Sequence, residues 1–295
     1  MAEQKYAGRL RRRRAFNDVA DLYDKARPGY PEALFDDLVT LSGVGPGARV
    51  LEIGCGTGQA TLPLASRGYR VLGLEIGENL ATMVRSKLSN YPQTRVLTSS
   101  FEDWPLEEGT FDLVVSATAF HWADPETRFR KSAGALRDGG SLALMWNYHE
   151  PDGSSEGFPK ALGHLYRRVA PELSGRRSRR LPRRLTKALS QIRWRAGPGL
   201  ARKRRPQRLD KDPDKVGAIE ESGFFERPEV RVYRFGISYN AESYLWLLET
   251  YTRYMALDDV TKRRLFSAVT RLIEEDYGGR VVQGYRSEFY VARRR

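Results

Sequence analysis

The run Val50-Leu51-Glu52-Ile53-Gly54-Cys55-Gly56-Thr57-Gly58 constrains this chain more than any other stretch. Val50, Leu51 and Ile53 read as a short buried strand, and three glycines spaced two residues apart end it. Gln59 to Ser66 then carry a helical pattern that stops at Gly68. Strand, glycine turn and helix together build an α/β nucleotide site. Backbone approaches a ligand closely where no Cβ intrudes, and the helix start offers free N–H groups. Val71-Leu72-Gly73-Leu74 reads as the next buried strand and ends on Glu75, 17 residues beyond Gly58. An acid at that place accepts hydrogen bonds from both ribose hydroxyls of an adenosine ligand.

The glycine spacing is not that of dinucleotide sites. Theirs is G-x-G-x-x-G, whereas this chain has G-x-G-x-G preceded by the acid Glu52. A nicotinamide dehydrogenase is disfavoured on that spacing. On the same residues the chain resembles the class I S-adenosylmethionine-dependent methyltransferases, whose first motif is hydrophobic-hydrophobic-(Asp/Glu)-x-G-x-G-x-G. Phe16 to Tyr30 (FNDVADLYDKARPGY), Phe101 to Trp104 (FEDW) and Phe111 to Trp122 (FDLVVSATAFHW) are similar to the small-molecule, methyltransferase type 11-like subgroup. The resemblance resumes at Val216 to Phe225, at Tyr244 to Leu257 and in the C-terminal YRSEFYVARR. It covers most of the chain outside residues 1–14 and about 174–212.

Taken in order, the pattern alternates strand and helix. Phe16, Val19, Ala20 and Tyr23 form one helix face; Arg27-Pro28-Gly29-Tyr30-Pro31 breaks it, and Pro31 starts a second helix with Leu34, Phe35, Leu38 and Leu41 inward. Leu80, Met83, Val84 and Leu88 mark a helix after Glu75. Further strands are expected at Arg95 to Thr98, Phe111 to Ser116 and Ser141 to Asn147. Asp124-Pro125 is expected to cap the helix between the last two, and Gly139-Gly140 to end it. Five alternations predict a doubly wound α/β sheet with its ligand at the carboxyl ends of the strands. Beyond His149 the alternation stops. Phe158 to Val169 reads as helix, Val230 to Tyr239 and Tyr285 to Ala292 as strands, and Glu242 to Ala256 and Asp259 to Glu275 as helix between them. The resemblance completes the fold: a seven-stranded, mainly parallel Rossmann-like sheet with an antiparallel last strand and a helical cap. The expected organisation is a basic arm (1–14), a cofactor-binding core with N-terminal lid helices (15–148), a cap insertion (149–228) and the last two strands with an intervening helical cap (229–295).

The resemblance also implies chemistry. S-adenosylmethionine would be the cofactor, and its methyl group would pass to a small-molecule acceptor, a natural product among the candidates, by in-line displacement. Glu52, Gly54, Gly56 and Gly58, with Cys55 inside the turn, would cradle the methionine part and ribose, and Glu75 would take the ribose hydroxyls. Ile76 would pack on the adenine face. Phe101 and Glu102 follow the third strand, where the adenine amino group is recognised; Ser100 stands where an Asp often makes that contact. Ala117 and Thr118 would line the methionine portion. Tyr23 and Arg27 belong to the segment that folds over the cofactor, with Tyr23 near the methyl group and Arg27 on the cofactor carboxylate; Tyr23 also reads as plain core. His121 is apt as a general base, and equally reads as a histidine packed beside Trp122. Tyr244, Trp246, Leu247, Tyr251, Tyr254 and Met255 form an aromatic stripe, core by its spacing, with a mild preference for a flat or greasy acceptor. No metal ligand set is expected.

The charge needs its own account. The chain of 295 residues has a net charge of +13, with 50 Lys/Arg against 37 Asp/Glu. Arg176 to Arg205 alone hold 13 Lys/Arg and no acid, so the rest of the chain is balanced. Three readings compete for that segment: a phosphate-binding stretch of a nucleic-acid-binding methyltransferase-like protein, a solvated insertion, and the product of a short reading-frame error in GC-rich DNA. Nucleic acid is disfavoured. The run Ser116 to Trp122 lacks the Asn/Asp-Pro-Pro-aromatic pattern of amino-group DNA methyltransferases, and the sole cysteine, Cys55, lies in the glycine turn rather than at a nucleophile position. One cysteine permits no internal disulfide, and neither a leader nor a membrane-spanning apolar run is seen, so a cytoplasmic setting is expected. The arm at 1–14 is the expected route to any homo-oligomer.

Overall fold

A computed structural model describes residues 17–151, 153–174 and 213–295. The expected arm (1–14) and the basic segment (176–205) lie outside the described residues. Seven strands form one sheet in the order β3-β2-β1-β4-β5-β7-β6: β1 (Arg49–Ile53), β2 (Arg70–Glu75), β3 (Arg95–Thr98), β4 (Phe111–Ala117), β5 (Leu136–His149), β6 (Glu229–Asn240) and β7 (Arg280–Arg293). The first five run parallel, and β7 pairs antiparallel with both β5 and β6. The chain reverses direction across the sheet between β1 and β4, which opens a crevice at their carboxyl ends.

The strands are apolar on both faces because helices cover both. Val50, Val71, Leu113, Val115, Ala143 and Met145 pack beneath Leu34, Phe35 and Leu38 of a helix at Glu32–Ser42. Their neighbours Leu51, Leu74, Val114, Leu142 and Leu144 face the other way, onto Trp104, Val216, Ile219 and Phe225. This period-two alternation places Ile53 and Glu75 at the strand tips, where the crevice begins.

A second core lies beyond the far ends of β6 and β7. Phe158, Leu162 and Tyr166 of the helix Phe158–Val169 meet Tyr244, Leu247, Leu248, Tyr254, Leu265 and Val269 there. Most of the aromatic stripe is therefore core, as its spacing suggested.

Two expected elements differ in detail. Gly139-Gly140 do not end a helix; the helix is Arg128–Ala135, and the glycines lie within β5. There β4 advances from Phe111 to Leu113 while β5 advances from Leu136 to Ser141, an irregularity that a glycine with φ of 74° at Gly139 permits. The expected helix Glu242 to Ala256 is two helices, Ala241–Glu249 and Thr252–Met255. Thr250 causes the break: its hydroxyl turns back to the carbonyl of Leu247 at 2.6 Å, a local bond that competes with helix continuation.

Gly284 of β7 is a test of how tightly sheet and loop meet. A Cβ there would run into the backbone carbonyl of Glu150 and the backbone of Gly153 and Ser154, none of which can rotate away. Gly284→Ala is expected to lower stability by roughly 1–3 kcal/mol, the usual range for overpacking. Urea unfolding of the purified variant beside the parent measures it.

Candidate active site

The glycine turn shapes the crevice floor. Gly54, Gly56 and Gly58 all have positive φ, at 71°, 57° and 97°. At Gly54 a side chain is also excluded by space, since a Cβ would lie 2.5 Å from that of Ala119. Glu75 fixes this turn to the exit of β2: its carboxylate accepts from the Gly56 N–H at 2.9 Å and from the Gly77 N–H at 2.9 Å. The next segment supplies a floor tile with unusual backbone. Thr118 sits at φ 54°, held by its N–H on the Met145 carbonyl at 2.7 Å and by its hydroxyl against that of Tyr30 at 2.6 Å. A β-branched residue in left-handed backbone is costly, and such strain gathers at functional sites.

The walls come from both ends of the chain. A short helix at Ala20–Ala26 brings Tyr23, and Arg27 follows it. Lys87 ties this helix to the glycine turn, pairing with Asp24 and donating to the Thr57 carbonyl. Arg27 ties it to the cap: Nε donates to the Thr250 hydroxyl at 2.8 Å and Nη2 to the Thr250 carbonyl at 2.7 Å. The same guanidinium lies over the rings of Tyr251, at 4.1 Å, and Tyr23, at 5.1 Å. The break after Glu249 turns Tyr251, Thr252 and Arg253 toward the crevice.

The cavity in this crevice is about 320 Å³, a size suited to a small-molecule ligand. Glu75, Ile76, Leu80, Ser99 and Phe101 line one end, and His121, Trp122, Tyr251, Thr252 and Arg253 the other, with Gly54, Gly56, Ala117, Thr118, Tyr23 and Arg27 between. A smaller cavity of about 70 Å³ adjoins it, bordered by Tyr30, Cys55, Gln59, Asn147, His149 and Tyr285.

Of the residues expected at a site, Tyr23, Arg27, Gly54, Gly56, Glu75, Ile76, Phe101, Ala117, Thr118 and His121 converge on the main cavity, and Cys55 on the smaller one. Glu52, Gly58 and Glu102 line neither. Gly58 packs on Val84 and Leu62. Glu102 accepts from the Asp124 N–H at 2.8 Å and anchors that loop, leaving Ser99 and Phe101 at the cavity end. Glu52 is fully buried under the turn, with neither oxygen in a well-formed hydrogen bond. Burial, reinforced by the Glu75 charge, pushes its carboxyl up to about 8, so it is a neutral acid at pH 7. Cys55 is buried against Gly73, and burial raises its thiol well above the usual range.

His121 stands at the mouth with its Nδ1 turned inward, accepting from the Trp146 indole N–H at 3.3 Å. That bond selects the neutral tautomer with the proton on Nε2, so the outer nitrogen is a donor. Desolvation, with Arg128 and Lys215 adding positive charge, moves its pKa down to about 4. His149 is missed by sequence reasoning. Its Nε2 meets the Tyr251 hydroxyl at 2.6 Å, and it too is depressed to about 4, by desolvation and by Arg253 and Arg27. Arg253 and Thr252 are also missed, since an unbroken helix would hide them; the signal was Thr250, a residue that competes for helix carbonyls.

Comparison with known proteins shows what the crevice-forming part of the chain is similar to. Residues 51–144 match the family model described as a methyltransferase domain. A protein of Mycobacterium tuberculosis named as an uncharacterized methyltransferase is 35% identical over 133 residues, covering 45% of this chain and 52% of its own length. A Saccharomyces cerevisiae protein named as a probable S-adenosylmethionine-dependent methyltransferase is 28% identical over 149 residues, covering 49% and 50%. The chain thus spans about half the length of these curated relatives. Among solved structures, a protein of Anabaena variabilis described as a putative methyltransferase from an antibiotic biosynthesis pathway superposes with a TM-score of 0.54 at 16% identity, over 90% of this chain and 98% of its own. The YcgJ protein of Bacillus subtilis does so at 0.50 and 13%, over 90% and 99%. At those identities the structural likeness establishes the shared fold of the methyltransferase domain.

The walls can be tested in two ways. Arg27→Met should release the N-terminal helix from the cap, lowering stability by roughly 1–3 kcal/mol and raising amide exchange at residues 20–26 more than in the sheet; hydrogen-exchange mass spectrometry reads both. His121 and His149 should both remain neutral until about pH 4. In the unfolded chain they protonate near 6.5, so the unfolded state takes up protons first. Stability should fall as pH drops from 6.5 toward 4, and nitrogen-15 NMR should show His121 with its proton on Nε2.

Proposed function

We propose that this protein is an S-adenosylmethionine-dependent methyltransferase acting on a small molecule. The observation that carries the reading is the Glu75 carboxylate, tied to the glycine turn and standing at the rim of a cavity walled by Ile76 and Phe101. Each of its oxygens accepts one backbone N–H, and a carboxylate oxygen has the capacity to accept a ribose hydroxyl as well. Ile76, Leu80 and Phe101 offer an apolar slot for an adenine ring. The turn at Gly54 and Gly56 lets backbone approach the methionine part, with Ala117 and Thr118 opposite. Arg27 spends Nε and one terminal nitrogen on Thr250, which leaves the other terminal nitrogen suited to the cofactor carboxylate. The methyltransferase-domain match over residues 51–144, which include Gly54, Gly56, Glu75, Ile76 and Phe101, supports the assignment, and the yeast relative's name points to the same cofactor.

S-adenosylmethionine, when bound, supplies a methyl group already activated on its sulfonium sulfur. The chain's task is then alignment and exclusion of water. Tyr23, Ala117 and Thr118 border the passage between the two ends of the cavity, and Trp122 and Tyr251 wall the acceptor end. His121 enters as an Nε2–H donor that orients the acceptor, because its Nδ1 is engaged by Trp146. Among the described residues, no helix is long and apolar enough to cross a membrane.

Calorimetric titration with S-adenosylhomocysteine is expected to show micromolar binding to the parent. Glu75→Ala should lose at least about a hundredfold, since two hydrogen bonds to a charged group disappear together. Binding of NAD in place of S-adenosylhomocysteine, or equal binding by the variant, overturns the assignment. A thermal melt of Glu75→Ala checks that the variant is folded.

A further inference from the structure

We infer that the acceptor carries a carboxylate-type anion, and that Arg253 is the residue that holds it. The inference rests on the methyltransferase reading for which end of the cavity receives the acceptor. It stands on how charge is distributed along the cavity wall.

The two ends differ in sign. At the adenosine end the ionisable group is Glu75, its carboxylate already engaged by two backbone N–H groups. At the other end the ionisable side chains are His121, Tyr251 and Arg253, with Arg27 and Tyr23 at the boundary. Among the described residues, no carboxylate lines that end. Among the same residues, neither Arg27 nor Arg253 forms an ion pair, whereas the nearest acid before them in the cap, Glu249, is paired with Lys262 at 3.1 Å. A guanidinium on a cavity wall without an acid beside it is a standing site for an anion.

The arginine is also held in place. One Arg253 terminal nitrogen donates to the Tyr254 hydroxyl at 2.9 Å, and its guanidinium carbon lies 4.7 Å from the centre of the Tyr254 ring. Tyr254 is itself fixed, donating to the Tyr166 hydroxyl at 2.6 Å in the buried cap core. Only part of the fork is spent on this, and the rest of its donors face no protein acceptor among the described residues. The exposed residue therefore offers a planar, oriented set of N–H groups, matched to a carboxylate. The positive field reaches further into the site: Arg253 and Arg27 both help keep the nearby His149 neutral. Trp122 and Tyr251 make the intervening wall flat and aromatic. The acceptor that fits is an anion with an aromatic or apolar body, its charged group on Arg253 and its remainder reaching toward His121.

Matched acids and amides test this whatever the rest of the acceptor is. The full-length protein, with and without S-adenosylhomocysteine, is titrated with benzoate and benzamide, phenylacetate and phenylacetamide, and indole-3-acetate and its amide. At least one acid is expected to bind tenfold or more tightly than its amide, the scale of one charge-assisted contact. In Arg253→Met that preference should shrink below twofold, while Arg253→Lys keeps a part of it. Equal binding of acid and amide in every pair, or an acid preference that survives Arg253→Met, overturns the inference. The methyltransferase reading fails separately, through absent S-adenosylhomocysteine binding in the parent, and the acid–amide comparison without that ligand is still read in that case. Melting temperatures of the two variants guard against misfolding.

Discussion

A single carboxylate holds the floor of this site together. Glu75 leaves the tip of β2 and accepts from two backbone N–H groups, one in the glycine turn after β1 and one at the start of the helix after β2. Three glycines in left-handed backbone have no side chains to fix them, so the turn depends on what its N–H groups meet. Without that partner, a buried donor would be left unsatisfied at a cost of about 1–3 kcal/mol. The same carboxylate borders the cavity, so the group that rigidifies the floor also defines the end where a ribose fits.

The walls obey a different logic. They are assembled from segments far apart in the chain and joined by cations over aromatic rings. Arg27 sits between Tyr23 and Tyr251 and bonds Thr250 twice. Lys215 lies 4.9 Å over Trp146, which in turn donates to His121. Desolvated contacts of this kind are stronger than exposed ones, and they set charge as well as position. The histidines at the rim are held neutral in a positive surround, so this end of the crevice offers donors and cations to whatever enters.

How much of this was legible in the sequence follows from the range of the interactions involved. The sheet was, because Val50, Leu51, Val71, Leu74, Val114 and Val115 stand in short continuous apolar runs, the local mark of strands buried on both faces, and the glycine turn is a contiguous motif. The floor residues followed from the motif as well. Other features did not. The role of Glu102 depends on its meeting the Asp124 N–H, a loop contact invisible in a linear pattern. Glu52 sits in the motif yet is sealed beneath it, which depends on how deep the turn lies. The cap wall, Tyr251 to Arg253, was hidden because periodicity predicts one helix where Thr250 makes two. His149 could be found only through its partner Tyr251, 102 residues away.

The clamp between Arg27 and Thr250 joins positions 223 residues apart. A contact of that separation closes a longer loop, at a larger entropic cost, than the pairings among the five parallel strands. During synthesis, the glycine turn and the first five strands leave the ribosome long before the residue that completes the upper wall. The crevice is therefore a place where ligand affinity registers the arrival of the cap: a partly made protein can possess the five parallel strands and still lack a closed site. A ligand that binds only the closed form stabilises this contact, and the N-terminal helix and the cap become a single cooperative unit with it.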